Sequence, residues 1–222
     1  HGVGDFLYIL SDEGRDKAIR ARQQSSYVGP APVPFEKYLA SVAAQTISTE
    51  KPGVAELKEA FSDLMLPDEL FDTLGPAINS GRGLFLYGAP GNGKTSIAER
   101  ISRCFKQEIY IPYTVLIDGQ IVMLYDPNCH EKIEQETESL IYQYDPRWTQ
   151  VKRPVIVVGG ELTMDALEIQ FNERVGLSEA PLQMKANCGV FLIDDFGRQR
   201  MHHDELLNRW IVPLEKRVDY LM

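Results

Sequence analysis

Apolar residues recur in two rhythms along this chain, and the change between them falls near residue 83. In the first part the spacing is helical. Phe35, Tyr38, Leu39, Val42 and Ala43 share one face of a predicted helix. Val54 to Phe61 predicts a second, shorter one. Pro67 suits the first position of a third helix from Asp68 to Ile78, closed by Asn79-Ser80-Gly81. Upstream, Phe6 to Leu10 alternates like a short strand, and Ser11-Asp12-Glu13 caps a helix through Arg15, Ala18, Ile19 and Arg22. Tyr27 to Pro34 contains Gly29-Pro30-Ala31-Pro32-Val33-Pro34, which excludes helix and central strand and predicts an extended linker.

From Gly83 onward, short apolar runs alternate with amphipathic stretches, the pattern of an α/β fold. Leu84 to Tyr87 predicts a buried strand, Thr95 to Phe105 a helix, and Glu108 to Ile111 a further strand. Val115-Leu116-Ile117 and Gln120 to Leu124 flank Asp118-Gly119, the composition of a tight hairpin turn. Pro154 to Val158 and Val190 to Ile193 predict two more strands, and Leu206 to Arg217 a helix. Trp148 and Trp210 are expected to be packing residues.

Two segments carry chemistry. Gly88-Ala89-Pro90-Gly91-Asn92-Gly93-Lys94-Thr95 fits the phosphate-binding loop G-x-x-x-x-G-K-[ST] at every fixed position. Glycines let the backbone curl so that successive N–H groups face phosphate oxygens. Lys94 places a point charge on the β- and γ-phosphates, and the Thr95 hydroxyl is a ligand for Mg²⁺. Ala89 to Ser96 are therefore expected to hold ATP or ADP. The second segment is Val190-Phe191-Leu192-Ile193-Asp194-Asp195, an apolar strand that ends on two carboxylates. This is the Walker B arrangement: Asp194 is expected to hold Mg²⁺, and Asp195, with Lys94, to act in catalysis by polarising the attacking water.

The Gly-x-Pro-Gly-x-Gly-Lys-Thr form of the loop resembles that of AAA+ ATPases. Gly176 to Pro181 and Ala186 to Asp195 resemble the same stretch in MoxR-like, NtrC-like and magnesium-chelatase-like members, and Leu206-Leu207 and Leu214-Glu215 match the helix that follows. The closest likeness is to bacterial AAA ATPases with predicted chaperone activity, and it spans about Phe61 to Arg217. It implies a three-layer αβα P-loop core with a parallel sheet over residues 53–222, with Leu64, Met65 and Leu66 at the adenine. It also implies a ring-shaped homo-oligomer, a hexamer in full-length form, that remodels a protein substrate. Three features depart from the family. Asp195 stands where Glu is usual. About a hundred residues separate Lys94 from Asp194, so the hairpin and Cys129 to Gln150 are expected to be an insertion. The sensor strand, arginine finger and lid are expected beyond Met222. Tyr8 to Ala18 resembles the wing and last helix of a winged-helix domain (residues 1–28), joined by a linker and helix at 29–52.

Composition narrows the function. A formal net charge of −9 disfavours a broad face for phosphate backbones, so a protein partner is expected before nucleic acid. A nucleotide-gated, DNA-associated factor is the alternative, supported by the local basic set Arg15, Lys17, Arg20 and Arg22. Three cysteines, Cys104, Cys129 and Cys188, form no Cys-x-x-Cys pair, and reduced thiols in the cytoplasm are expected. Cys129-His130 and His202-His203 are too isolated to predict a zinc site. No apolar run approaches the roughly 20 residues of a membrane span. The chain opens on His1, so its start is expected further upstream.

Overall fold

The computed structural model describes residues 9–89, 91–106, 108–133 and 145–221. The predicted strand at Phe6 to Leu10 lies mostly outside them; Ile9 and Leu10 are exposed and in no strand. Helix α1 (Asp12–Gln24) follows, with Ser11 Oγ accepting from Gly14 N at 3.2 Å. This is the expected N-terminal cap, since the hydroxyl satisfies one of the amides that a first helical turn leaves unbonded.

The proline-rich linker departs from expectation. Val33–Pro34 forms a short strand β1, paired in parallel with β3 (Thr114–Ile117), with Val33 fully buried. Proline lacks a donor, and at a sheet edge none is required of it. Pro34 then caps α2 (Phe35–Gln45), whose Tyr38 points into the core, and α3 (Val54–Ala60) and α4 (Asp68–Asn79) follow as the periodicity predicts.

β3 and β4 (Gln120–Met123) form the predicted antiparallel hairpin, with Asp118 at φ 48° and Gly119 at φ 81°. Both central residues at positive φ match the right-handed twist of the strands. β8 (Leu177–Glu179) adds in parallel to β4, and β7 (Gln170–Asn172) pairs antiparallel with β8. The result is a mixed five-stranded sheet, β1-β3-β4-β8-β7. Two two-stranded sheets accompany it: β2 (Glu108–Pro112) antiparallel to β5 (Trp148–Lys152), and β6 (Val155–Val158) parallel to β9 (Val190–Ile193). The chain is thus mixed α/β, with several small sheets among the described residues rather than one parallel sheet. Part of the expected insertion, Trp148 to Gln150, is the strand β5 beside β2; residues 134–144 lie outside the described ones.

The largest correction concerns Leu84 to Tyr87. This run is extended but joins no ladder, and Phe85 and Tyr87 are 71 % and 87 % exposed. An apolar run reads as a buried strand only if neighbours cover it. Here Leu86 alone packs inward, against the cluster of Leu57, Phe61, Leu74, Ile78 and Ile97. That cluster joins α3 and α4 to α5 (Lys94–Arg100), which continues as a 3₁₀ turn over Ile101–Cys104. A second core lies between α2 and the sheets, and a third joins β6 and β9 to α7 (His203–Lys216). The small helix α6 (Leu182–Lys185) leads from β8 towards β9.

Candidate nucleotide site

The loop before α5 has the conformation its glycines predict. Gly91 lies at φ 85° and Gly93, which caps α5, at φ 72°. Both are in the left-handed region, which costs an L-residue roughly 1–2 kcal/mol. Ala89, Gly91, Asn92 and Gly93 are exposed, while Lys94, Thr95 and Ser96 are half-buried. Pro90 lies outside the described residues. The Lys94 ammonium donates to the carbonyls of Gly88 at 3.0 Å and Ala89 at 3.1 Å. It is therefore folded back over its own loop.

The second motif arrives from the opposite end of the sequence. β9 emerges from Gly189, where any Cβ would overlap the Pro154 carbonyl oxygen; that oxygen instead accepts from Val190 N at 2.9 Å. This contact sets the register of β9 on β6, with Val155 opposite Val190 and Val158 opposite Ile193. Asp194 N then donates to Val158 O at 2.7 Å.

Asp194 meets the loop directly. Thr95 Oγ1 donates to Asp194 Oδ2 at 2.6 Å. The Thr95 hydroxyl, with help from the Asp195 amide at 2.9 Å, holds the Asp194 carboxyl below the usual carboxylate range. A hydroxyl and an ionised carboxylate in contact are the hard oxygen donors that suit Mg²⁺, so the donor set fits the expected ion. Asp195 lies apart. It is at φ 48° and exposed, and its carboxylate faces Arg198 at 3.8 Å. Gln199 Nε2 donates to the carbonyls of Asp194 at 2.9 Å and Asp195 at 3.2 Å, which fixes the turn between them.

The expected adenine contacts divide. Leu64 and Leu66 pack into the core beside Leu86 and Ile101, while Met65 is fully exposed. Asp63 ties this turn to α5 through Arg100, at 2.8 and 2.7 Å.

Sequence reasoning missed Gly159-Gly160-Glu161. This loop follows Val158, whose carbonyl accepts from Asp194 N, and its Gly160 O accepts from Arg200 N at 3.1 Å; the signal for it was a Gly-Gly-acid run directly after an apolar strand. A groove of about 1130 Å³ lies elsewhere, between Glu50, Glu59, Glu99, Arg103 and Lys152. Its wall mixes acids and bases, and it contains no residue of the phosphate loop.

Among the described residues no helix is long and apolar enough to cross a membrane. The chain matches no known protein-family description and no curated protein.

Proposed function

We propose that this chain is the nucleotide-binding core of an AAA+-type ATPase, which holds Mg-ATP at Gly88 to Ser96 and couples its hydrolysis to the remodelling of a protein partner. One observation carries this reading. The 2.6 Å hydrogen bond from Thr95 to Asp194 joins the phosphate-loop threonine to the strand-end carboxylate across 99 positions of sequence. A glycine-rich turn with an incidental Lys-Thr has no reason to meet an aspartate at the end of an apolar strand. In this reading the loop amides and Lys94 bind the β- and γ-phosphates, and Thr95 and Asp194 hold the ion. Mg²⁺, when bound, neutralises charge on the transferring phosphoryl group. The base lies against the turn at Leu64 to Leu66, with Met65 as its exposed apolar contact.

Nucleotide that binds only the folded state raises the melting temperature. Mg-ATP and Mg-ADP are expected to do so for the parent, and Lys94→Ala is expected to lose most of the shift. An equal shift in Lys94→Ala overturns the assignment. Phosphate release from the full-length protein then separates an ATPase from a nucleotide-binding scaffold. Salt-dependent retardation of DNA would instead favour the DNA-associated alternative.

A further inference from the structure

The turn that follows β9 leaves ordinary backbone twice within three residues. Asp195 lies at φ 48° and Gly197 at φ 92°. The first of these is not a glycine, and the Cβ of an L-residue disfavours that region. Such a conformation persists only where its surroundings hold it. Arg198 N closes the turn on Asp195 O at 2.9 Å, and one side chain spans the rest. Gln199 Nε2 donates to Asp194 O at 2.9 Å and to Asp195 O at 3.2 Å, and Gln199 Oε1 accepts from Gly197 N at 2.7 Å. One amide thus touches three consecutive peptide units: Asp194–Asp195, Asp195–Phe196 and Phe196–Gly197. An amide suits this task because it carries donors and an acceptor on one group.

The first of those units reaches the Asp194 carboxylate. A peptide is planar, so its carbonyl and its N–H turn together. In the Asp194–Asp195 unit the carbonyl accepts from Gln199, and the N–H donates to Asp194 Oδ1 at 2.9 Å. The other oxygen, Asp194 Oδ2, accepts from Thr95 Oγ1 at 2.6 Å. A chain of bonds therefore runs from Gln199, through one rigid plane, to the carboxylate and on to the loop threonine. Asp195 projects from the same turn.

We propose that Gln199 is a positioning residue of this site: it fixes the Asp194–Asp195 peptide so that the Asp194 carboxylate stands against Thr95, where the two hold Mg²⁺. The inference rests on the ATPase reading above. The hydrogen bonds of the Gln199 side chain fall on residues 194, 195 and 197. It therefore acts on the ion through Asp194 and leaves the loop amides and Lys94 alone. Loss of Gln199 separates the two halves of the site: phosphate binding at the loop persists, and ion binding weakens.

The test compares Gln199→Glu and Gln199→Ala with the parent as full-length proteins. It measures the thermal shift with ADP in EDTA, and then at rising Mg²⁺. Glutamate has the size of glutamine and keeps an oxygen for Gly197 N, but its carboxylate has no proton for the carbonyls of Asp194 and Asp195. Removing a group that holds a metal ligand in place weakens metal binding about 10 to 100-fold, so both variants are expected to need at least about tenfold more Mg²⁺ to reach the half-point of the metal-dependent shift. The metal-free ADP shift is expected to stay at the parental value. Should Gln199→Ala fail to fold, Gln199→Glu decides alone. A smaller move of the half-point in Gln199→Glu overturns the proposal. So does a metal-free shift that falls in step with the metal-dependent one, which marks a structural role only, and so does a parent whose shift Mg²⁺ leaves unchanged. A parent with no nucleotide-dependent thermal shift at all would instead overturn the ATPase reading itself, and this inference with it.

Discussion

At the scale of single residues, the chain places several charged or titratable groups in its interior and satisfies each with named partners. Arg153 is almost fully buried. Its guanidinium donates to the carbonyls of Lys106 at 2.7 Å, Gln45 at 3.2 Å and Cys188, and it pairs with Glu50 at 3.1 Å. It thereby ties α2 to the segment that leads into β9. Lys185 is buried as well, bonded to Asp126 at 2.7 Å and Glu179 at 2.5 Å. His130 lies beside it, with Nδ1 accepting from Asp126 N at 3.0 Å and Nε2 facing the Lys185 carbonyl at 2.9 Å. That pairing fits the neutral Nε2–H tautomer, since a second proton on Nδ1 would face the amide. The titratable groups around this ring are Asp126, Lys185, Cys129 and Tyr125, whose ring stacks on it at 5.8 Å. Burial pushes the His130 pKa below its ordinary value, against the carbonyls and Asp126, which act to raise it. A histidine depressed in the folded state adds stability above its unfolded pKa of about 6.5, and that stability is lost as pH falls through the folded value. The melting temperature is therefore expected to fall as pH drops from 7.5 to 5. His130→Gln, which has no proton to gain, is expected to flatten that part of the curve. Parallel profiles for parent and variant would show that His130 is not the group responsible.

At the scale of elements, two glycines give contrasting predictions. Gly119, in the β3–β4 turn, has φ 81° and open space around it, so Gly119→Ala adds strain without a clash. A cost of about 1–2 kcal/mol follows from the left-handed backbone. Gly189 has no such room, because a Cβ there meets the Pro154 carbonyl oxygen. Relief requires β9 to shift on β6, which would carry Asp194 away from Thr95. Gly189→Ala is expected to be the more destabilising in urea and to weaken nucleotide binding, while Gly119→Ala leaves binding intact. Equal losses of binding in the two variants would break the link between β9 register and the site. The hairpin was legible because Asp-Gly between alternating residues has few other uses. The glycine-rich loop before α5 was legible because its motif has fixed spacing and its glycines take the left-handed backbone that the motif predicts. β1 was hidden because two prolines flank Val33, and the burial of that residue depends on the distant β3. β7 and β8 were too short to show a period. Leu84 to Tyr87 misled, because an apolar run reports the capacity for burial and not the presence of a covering neighbour.

At the scale of the whole molecule, the open surroundings of the candidate site are the dominant fact. Gly91, Asn92, Gly93 and Asp195 are exposed. Around them stand Phe85 at 71 %, Tyr87 at 87 % and Phe196 at 41 % exposure, with the Phe85 and Phe196 rings edge to face at 6.5 Å. On α7, Leu207, Ile211 and Leu214 are also exposed. Electrostatic stabilisation of a transferring phosphoryl group is strongest where water is excluded, and a wet site weakens every charge brought to bear on it. Exposed apolar side chains of this size favour association, because covering them releases about 25 cal/mol per Å² of apolar surface. In the proposed AAA+ reading a neighbouring subunit provides that cover. The full-length protein is therefore expected to increase in mass when Mg-ATP is added, as read by light scattering or analytical ultracentrifugation. Its phosphate release per subunit should rise with protein concentration and then level off as assembly completes. Phe85→Asp should lower the association and the concentration dependence together, while nucleotide binding at low concentration persists. A protein that stays monomeric with Mg-ATP and hydrolyses at a constant rate per subunit would remove the ring from this account and leave Lys94, Thr95 and Asp194 to act within a single chain.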